Sequence, residues 1–281
     1  MNVMTNNLTY SYLEYEKMDE KNLKRHIHPT YEILYVVEGE LEYVIEDCLY
    51  RLTAGDVLLI KPAKYHFVKN IIKLPYKRVC IQFSSNFIKN NVLLNKVFDK
   101  SQYARIQQNS SIDNIIWLIN ALTDESPNDY HKIILKNLFQ LLLIALDNAN
   151  SNDYYNIGNA SMNASCKKIF NYVNKHIFKI KKLEDLSEKL FFSKSYINHV
   201  FKKELGIGVM QYVRKKRIIL AHKMISENDK KLTDVFALCG FKNYLSFYRT
   251  YVKYFGEPPS ILKHQISTSK KENSPVKPAK K

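Results

Sequence analysis

No run of about 18 consecutive apolar residues occurs anywhere in the 281-residue chain, so no transmembrane helix is expected. The opening MNVMTNNLTYSYLEYEKMDEK has no basic region followed by an apolar one, which argues against a signal peptide. Cysteine pairs are missing as well. Cys48, Cys80, Cys166 and Cys239 are scattered without a CxxC, which points to reduced thiols in a cytoplasmic protein rather than a disulfide framework or a four-cysteine zinc site. Acidic residues run short in one half only. Residues 1–166 hold 17 Lys+Arg against 18 Asp+Glu, a net of −1, whereas residues 167–281 hold 26 against 9, a net of +17. The second half is therefore the candidate polyanion binder. Its cations are spread over several helical segments instead of one amphipathic stretch, which favours nucleic acid over a membrane surface.

The first half begins as strands. Tyr31–Val37, Leu41–Ile45, Leu49–Leu52, Val57–Ile60 and Val79–Phe83 are β-branched, aromatic or alternating. Glu38-Gly39, Asp47-Cys48 and Ala54-Gly55-Asp56 are expected to turn between them, and short strands at this spacing indicate a sandwich or barrel. His26, His28, Glu32 and Gly39 stand at H-x-H-x3-E-x6-G, followed by Gly55 and by His66 and Asn70 at H-x3-N. These segments resemble the two motifs of the cupin barrel over residues 1–83, with Lys61 and Ala63 where that family usually carries Pro and Gly. In cupin enzymes the equivalents of His26, His28, Glu32 and His66 converge on a divalent metal, and three imidazoles with a carboxylate suit Fe, Mn, Ni, Cu or Zn. The competing reading, that the histidines and Glu32 line an effector pocket or pair with one another without metal, is preferred: His26, His28, Glu32, Tyr35 and His66 are the effector-binding candidates. No cofactor is expected. Tyr31, Tyr43 and Tyr65 are expected near the same histidines.

Residues 84–148 turn helical. Ile112–Leu122 and Asp129–Asn148 carry apolar residues in helical register, the second apolar nearly all round, so it must be covered on most sides: by the barrel in part, and for the rest either by further intramolecular packing or by a second copy of the chain. Residues 149–165, rich in Asn and Ser, read as an interdomain linker.

Residues 166–264 use one unit twice. Helices are expected over Cys166–His176, Leu183–Leu190, Ser193–Leu205, Val209–Ile225, Leu232–Cys239 and Asn243–Phe255. Ser193 to Gly206 and Asn243 to Gly256 are each 13 positions, and a shift of 50 sets Ile197 on Phe247 and Phe201 on Tyr251. Each unit has helix-turn-helix dimensions, and two such units on one linking helix could enter successive major-groove segments about 34 Å apart. In the first, Tyr196, Ile197, Val200, Phe201 and Leu205 are expected to be buried, leaving Ser195, Asn198, His199 and Lys202 as an outward stripe.

KLEDLSEKLFFSKSYINHVFKKELG, RIILAHKMI and GFKNYLSFYRTYVKYFGEPPSILK resemble the DNA-binding domain of the AraC/XylS transcription regulators, whose members often carry a cupin-like sensor. The resemblance implies an α+β chain: a cupin-like barrel with following helices, then an all-α domain of two helix-turn-helix units. It also implies a bacterial cytoplasmic, nucleoid-associated regulator that usually activates transcription as a homodimer and is not an enzyme. Its partners would be double-stranded promoter DNA, a small-molecule effector such as a sugar or other metabolite, and RNA polymerase, with no membrane. Carried over position by position, the DNA-binding candidates are Lys194, Ser195, Asn198, His199 and Lys202 in the first unit and Tyr244, Leu245, Tyr248 and Arg249 in the second. Arg217 takes the family's Arg position in the linking helix, as an ion pair or a phosphate contact. Phe236, Leu245 and Val252 depart from the family's usual Ala, Ser and Lys, leaving the second unit less polar. Residues 265–281 read as a disordered basic tail. The competing reading is a metal-dependent cupin enzyme fused to a DNA-binding domain.

Overall fold

A computed structural model of the chain describes residues 2–5, 8–17, 25–88, 91–100, 103–105, 111–123, 130–149, 162–227 and 230–264. The chain divides into two compact units, 1–162 and 163–281. The linker expectation over 150–161 and the tail over 265–281 lie outside the described residues.

In the first unit, β1 (Asn2–Thr5), β2 (Leu8–Tyr15), β3 (Tyr31–Ile45), β4 (Cys48–Thr53), β5 (Asp56–Ile60), β6 (His66–Phe83) and β7 (Tyr103–Arg105) form one antiparallel sheet. Its order is β1-β2-β6-β3-β5-β7, with β4 on β3. β3 and β6 are its spine, paired from Tyr31↔Phe83 to Ile45↔His66. Straight, the span from His66 to Gln82 would measure roughly 50 Å at about 3.3 Å per residue. Yet Gln82 Nε2 donates to Glu32 Oε2 at 3.0 Å, and His66 Nε2 lies 3.4 Å from the same oxygen. The two ends of β6 therefore come round to one carboxylate, which requires a sheet folded over on itself.

Glu38-Gly39 does not end a strand as expected; β3 runs through it, with register shifts between Val36 and Leu41. Gly39 adopts φ +96°, and a Cβ there would stand 2.7 and 2.8 Å from the Pro75 and Lys73 carbonyl oxygens. The glycine lets β3 bend as a bulge against β6 while staying paired. β6 likewise extends far ahead of the expected Val79–Phe83.

Alternation along the bent strands separates two apolar clusters. Leu34, Val36, Leu41, Tyr43, Ile45, Leu58, Ile60 and Val68 fill the interior. Tyr31, Ile33, Leu59, Val79, Ile81 and Phe83 face outward against α1 (Asn91–Lys100), α2 (Ser111–Thr123) and α3 (His131–Asn148). α1 and β7 were not anticipated. α3 buries Phe139, Leu142, Leu143 and Leu146, while Ile133, Ile134, Leu141 and Ile144, with Trp117 and Leu118 of α2, remain exposed.

The second unit is helical: α4 (Ala164–Lys175), α5 (Leu183–Leu190), α6 (Lys194–Leu205), α7 (Val209–Glu227), α8 (Leu232–Leu238) and α9 (Tyr244–Phe255). α6 and α9 are 12 residues each and close alike. Ser193 accepts from the Tyr196 N–H and Asn243 from the Ser246 N–H, while Gly206 (φ 70°) and Gly256 (φ 79°) end them in left-handed conformation. Each cap is worth about 1 kcal/mol. Ile197, Val200, Phe201 and Leu205 are buried under α6, as Phe247 and Tyr251 are under α9. Tyr196 does not join them. It is 41 % exposed at the edge of that stripe, its hydroxyl 3.1 Å from Ser165 Oγ.

Arg217 of α7 takes neither role expected of it. It is buried, and its guanidinium donates to three backbone carbonyls: Nε to Ile177 at 2.7 Å, Nη2 to Ile180 at 2.5 Å and Nη1 to Gly240 at 2.8 Å. The first two lie in the connection from α4 to α5, and the third in the turn from α8 to α9, so one side chain fastens both units to the linking helix. Gly240 has φ +74°, and a Cβ there would meet the Phe178 carbonyl oxygen at 2.3 Å, so only glycine admits this closure. On the same helix, His222 Nδ1 lies 2.8 Å from the Tyr251 hydroxyl, and burial pushes its pKa down to about 4. Arg217→Ala strands three carbonyls and is expected to cost about 3 kcal/mol in urea unfolding of the full chain, with Arg217→Lys recovering only a fraction. A loss below about 1 kcal/mol would show that the carbonyls find water instead.

Candidate nucleic-acid interface and barrel site

Ser195, Asn198, His199 and Lys202 form the exposed stripe of α6 and, with Lys203, line one shallow surface depression. Lys203 was not among the expected contacts, although its charge and its place beside Lys202 were visible. Lys194 is exposed, and its Nζ donates to Glu184 Oε1 of α5 at 2.8 Å. Such an exposed pair exchanges readily for a phosphate.

Asn198 is more constrained. Its Oδ1 accepts from the Val209 N–H at 3.3 Å, an orphan donor of the first turn of α7. An amide NH2 cannot accept that bond, so the oxygen is fixed toward α7 and the group left for DNA is the Nδ2 donor. Reading adenine with both amide atoms would require breaking this cap. The stripe thus offers mostly donors, suited to phosphate and to guanine O6 and N7.

α9 presents a different surface. Tyr244, Leu245, Tyr248 and Arg249 are all exposed, and Leu245 is 55 % so. Tyr244 packs edge-on against Phe236 at 5.9 Å and tilts against Tyr248 at 6.2 Å, so the large residue in α8 is accommodated by an aromatic row rather than by closer packing. Arg249 is the candidate in this helix with the planar fork that suits guanine.

In the first unit, an isolated antiparallel bridge sets His26 opposite His66, with ring centroids 4.1 Å apart. The ligand atoms of His26, His28, Glu32 and His66 all lie within 4.8 Å of one another. His66 Nδ1 lies 2.8 Å from the Lys64 carbonyl, which calls for hydrogen on that nitrogen, whereas His28 Nδ1 lies 3.0 Å from the Thr30 carbonyl and 2.9 Å from the Thr30 hydroxyl. Both Nε2 atoms turn to Glu32, His28 at 2.8 Å and His66 at 3.4 Å. His66 Nε2 is buried without a hydrogen bond. Burial alone would raise the Glu32 pKa, but His28 and His66 outweigh it and hold the carboxyl well below its usual range.

A His66 Nε2 lone pair aimed at the carboxylate needs a proton or a cation between them. Donors about 2.1 Å from a divalent ion sit roughly 3.0–3.4 Å apart, and carbonyl-fixed imidazoles are the usual support for such ligands. His26, His28, Glu32 and His66 therefore fit a divalent ion, which would supply a Lewis-acidic centre to a bound ligand's oxygen; without one, the set is a carboxylate tied to its histidines.

Tyr35 is not part of this cluster. Glu32, Leu34 and Val36 point inward, so Tyr31 and Tyr35 point outward, and the Tyr35 hydroxyl donates to Asp113 Oδ1 of α2 at 2.5 Å. Burial and Asp113 push its pKa up. Tyr65 is also turned away, packed edge-on against Phe67 at 6.0 Å. Of the four tyrosines only Tyr43 faces the histidines, its ring 6.2 Å from His66.

A folded-over sheet holding a polar interior cluster, followed by a basic unit with two capped outward helices, defines a ligand-responsive DNA-binding regulator. Residues 9–143 match the AraC-like ligand-binding domain family and residues 186–265 a helix-turn-helix domain family. The Msm operon regulatory protein of Streptococcus mutans is 20 % identical over 86 % of this chain and 87 % of its own. The lactose operon transcription activator of Staphylococcus xylosus is 24 % identical over 85 % and 86 %. The probable transcriptional regulator LumQ of Photobacterium leiognathi is 36 % identical over 33 % and 37 %. The chain belongs to the AraC family of transcriptional regulators, with an N-terminal ligand-binding domain and a C-terminal helix-turn-helix DNA-binding domain. Regulators of this kind bind DNA and small-molecule effectors. No described helix is long and apolar enough to cross a membrane.

Proposed function

We propose that α6 and α9 enter successive major-groove segments of promoter DNA, and that an effector inside the barrel governs how the bound chain engages RNA polymerase, usually to activate. The observation that carries this is the repeat itself: two helices of equal length, with matching caps and buried faces, each leaving its exposed stripe to solvent. In this reading Ser195, Asn198 and His199 face base edges, Lys194, Lys202 and Lys203 hold phosphate, and Arg249 reads guanine while Tyr244, Leu245 and Tyr248 supply apolar contact. The activating sign follows the name of the Staphylococcus xylosus relative. In this reading the protein works in the cytoplasm and acts as a regulator rather than an enzyme, as the names of its relatives suggest.

Binding by fluorescence anisotropy to a selected site and to random DNA tests the contacts. Arg249→Ala is expected to cost about 1–3 kcal/mol on the selected site only. Asn198→Asp keeps an acceptor for Val209, so it should weaken DNA binding while leaving the melting temperature unchanged. Equal losses on both DNAs for Arg249→Ala would reduce it to a phosphate contact.

The same proposal includes a homodimer through α2 and α3. Trp117, Leu118, Ile133, Ile134, Leu141 and Ile144 are each between 41 % and 67 % exposed, an apolar concentration that monomeric surfaces rarely show. Light scattering of the full chain should give a dimer at micromolar concentration, and Leu141→Asp with Ile144→Asp should give a monomer. A monomeric wild type overturns it.

A further inference from the structure

The far rungs of the barrel interior carry a second polar group that the histidine cluster does not use. β2 and β6 pair Tyr15 with Tyr76, Leu13 with Arg78 and Ser11 with Cys80, and directly opposed residues share a face. Tyr15 and Tyr76 stack with ring centroids 5.8 Å apart, and the Arg78 guanidinium carbon lies 5.9 Å from each ring. Tyr15 and Tyr76 both pack on or within the interior cluster, so Arg78 is an inward cation.

Its hydrogen bonding is incomplete. Arg78 Nε and the Tyr76 hydroxyl are both buried; the hydroxyl lies within hydrogen-bonding influence of the guanidinium, and Nε has no acceptor of good geometry among the described residues. The acids flanking this rung are already taken: Glu14 and Glu38 both pair with Lys77, each at 3.1 Å. Lys77 precedes Arg78 and points to the other face, so alternation sends these two carboxylates outward, and among the described residues the inward guanidinium has no carboxylate paired with it. The inward residues of β2, Ser11, Leu13 and Tyr15, are only half-buried, so this rung lies nearer solvent than the histidine cluster's His66 and Glu32.

A buried donor beside a phenol hydroxyl, on a cation whose neighbouring described acids are committed elsewhere, is the complement of an oxyanion. We propose that Arg78, with the Tyr76 hydroxyl, anchors an anionic group of the effector. The ligand is thus a small molecule bearing a carboxylate or phosphate, its body against Tyr15 and Tyr76, rather than a neutral sugar. This rests on the reading of the barrel as the effector site. Planar bidentate capture of an oxyanion explains why arginine serves here and a point-charge lysine would serve poorly.

Thermal unfolding of the full chain at constant ionic strength tests this with three probes at about 10 mM: glucose, glucuronate and glucose 6-phosphate. At least one anion should raise the melting temperature by roughly 2–4 °C or more, and glucose should not. The responding anion distinguishes the carboxylate source from the phosphate source. Arg78→Met should abolish the gain and, without ligand, melt within about 2 °C of wild type, since the thioether side chain keeps the packing on the two rings and removes a buried Nε–H that lacks an acceptor. A ligand-free Arg78→Met that melts several degrees lower would mean an internal partner and overturn the proposal. So would a gain from glucose equal to that from the anions, or an anion gain that survives in Arg78→Met. If none of the three probes shifts the wild type, the anion anchor fails together with the effector reading; a response to glucose alone fails the anchor and leaves that reading standing.

Discussion

Three hydrogen bonds from Arg217 hold the DNA-binding unit in one arrangement. α5–α6 and α8–α9 both pack on α7, through rings such as Phe201 on Tyr212 and Tyr251 on His222, and the Arg217 bonds add fixed directions to that packing. The guanidinium binds the carbonyls of Ile177 and Ile180 ahead of the first unit and that of Gly240 inside the second, so both are referred to one rigid point on one helix. A planar fork is suited to this because its directions are fixed, and because carbonyls satisfy it without an acid that would compete for DNA-facing lysines. The cost is borne by Gly240, where any side chain would strike Phe178.

The barrel solves a comparable problem with charge in its interior. Glu32 is buried at the point where both ends of β6 return, and it is held there by His28, His66 and Gln82. The carboxylate thereby marks closure of the sheet as well as the centre of a polar site. Outside, the same strand turns Tyr35 onto Asp113, tying the barrel wall to α2. A ligand that disturbed the interior of β3 would therefore be felt, one residue further along, by the helices that carry the exposed apolar face.

How much of this could be read from residues alone depended on the range of the signal. The helix-turn-helix pair was legible because its punctuation is local: Ser193 and Asn243 as caps, Gly206 and Gly256 as ends, and apolar residues between them at three- and four-residue spacing. Tyr196 was misplaced because hydrophobicity put it in the stripe, whereas Ile197, Val200 and Phe201 define the buried direction and leave it at the edge. In the barrel, the motif named His26, His28, Glu32 and His66, and the structure gathers them. Tyr35 failed on parity: an odd offset from Glu32 sends it through the sheet, a rule available from the sequence once the strand was taken as continuous. Glu38-Gly39 hid that continuity by looking like a turn. The Arg217 contacts were beyond reach, since their acceptors are backbone carbonyls 23 to 40 residues away that no side-chain pattern announces.

The central claim is that α6 and α9 read DNA as one rigid ruler set by Arg217. Its most direct measurement is binding to a selected site into which five base pairs are inserted between the segments protected by α6 and α9. A rigid ruler predicts that half a helical turn throws one segment to the opposite face of the DNA and costs the chain one unit's contacts, while about ten inserted pairs restore the face but exceed the reach. Equal affinity for the original and the five-pair insertion would show that the two units swivel independently and would contradict the account.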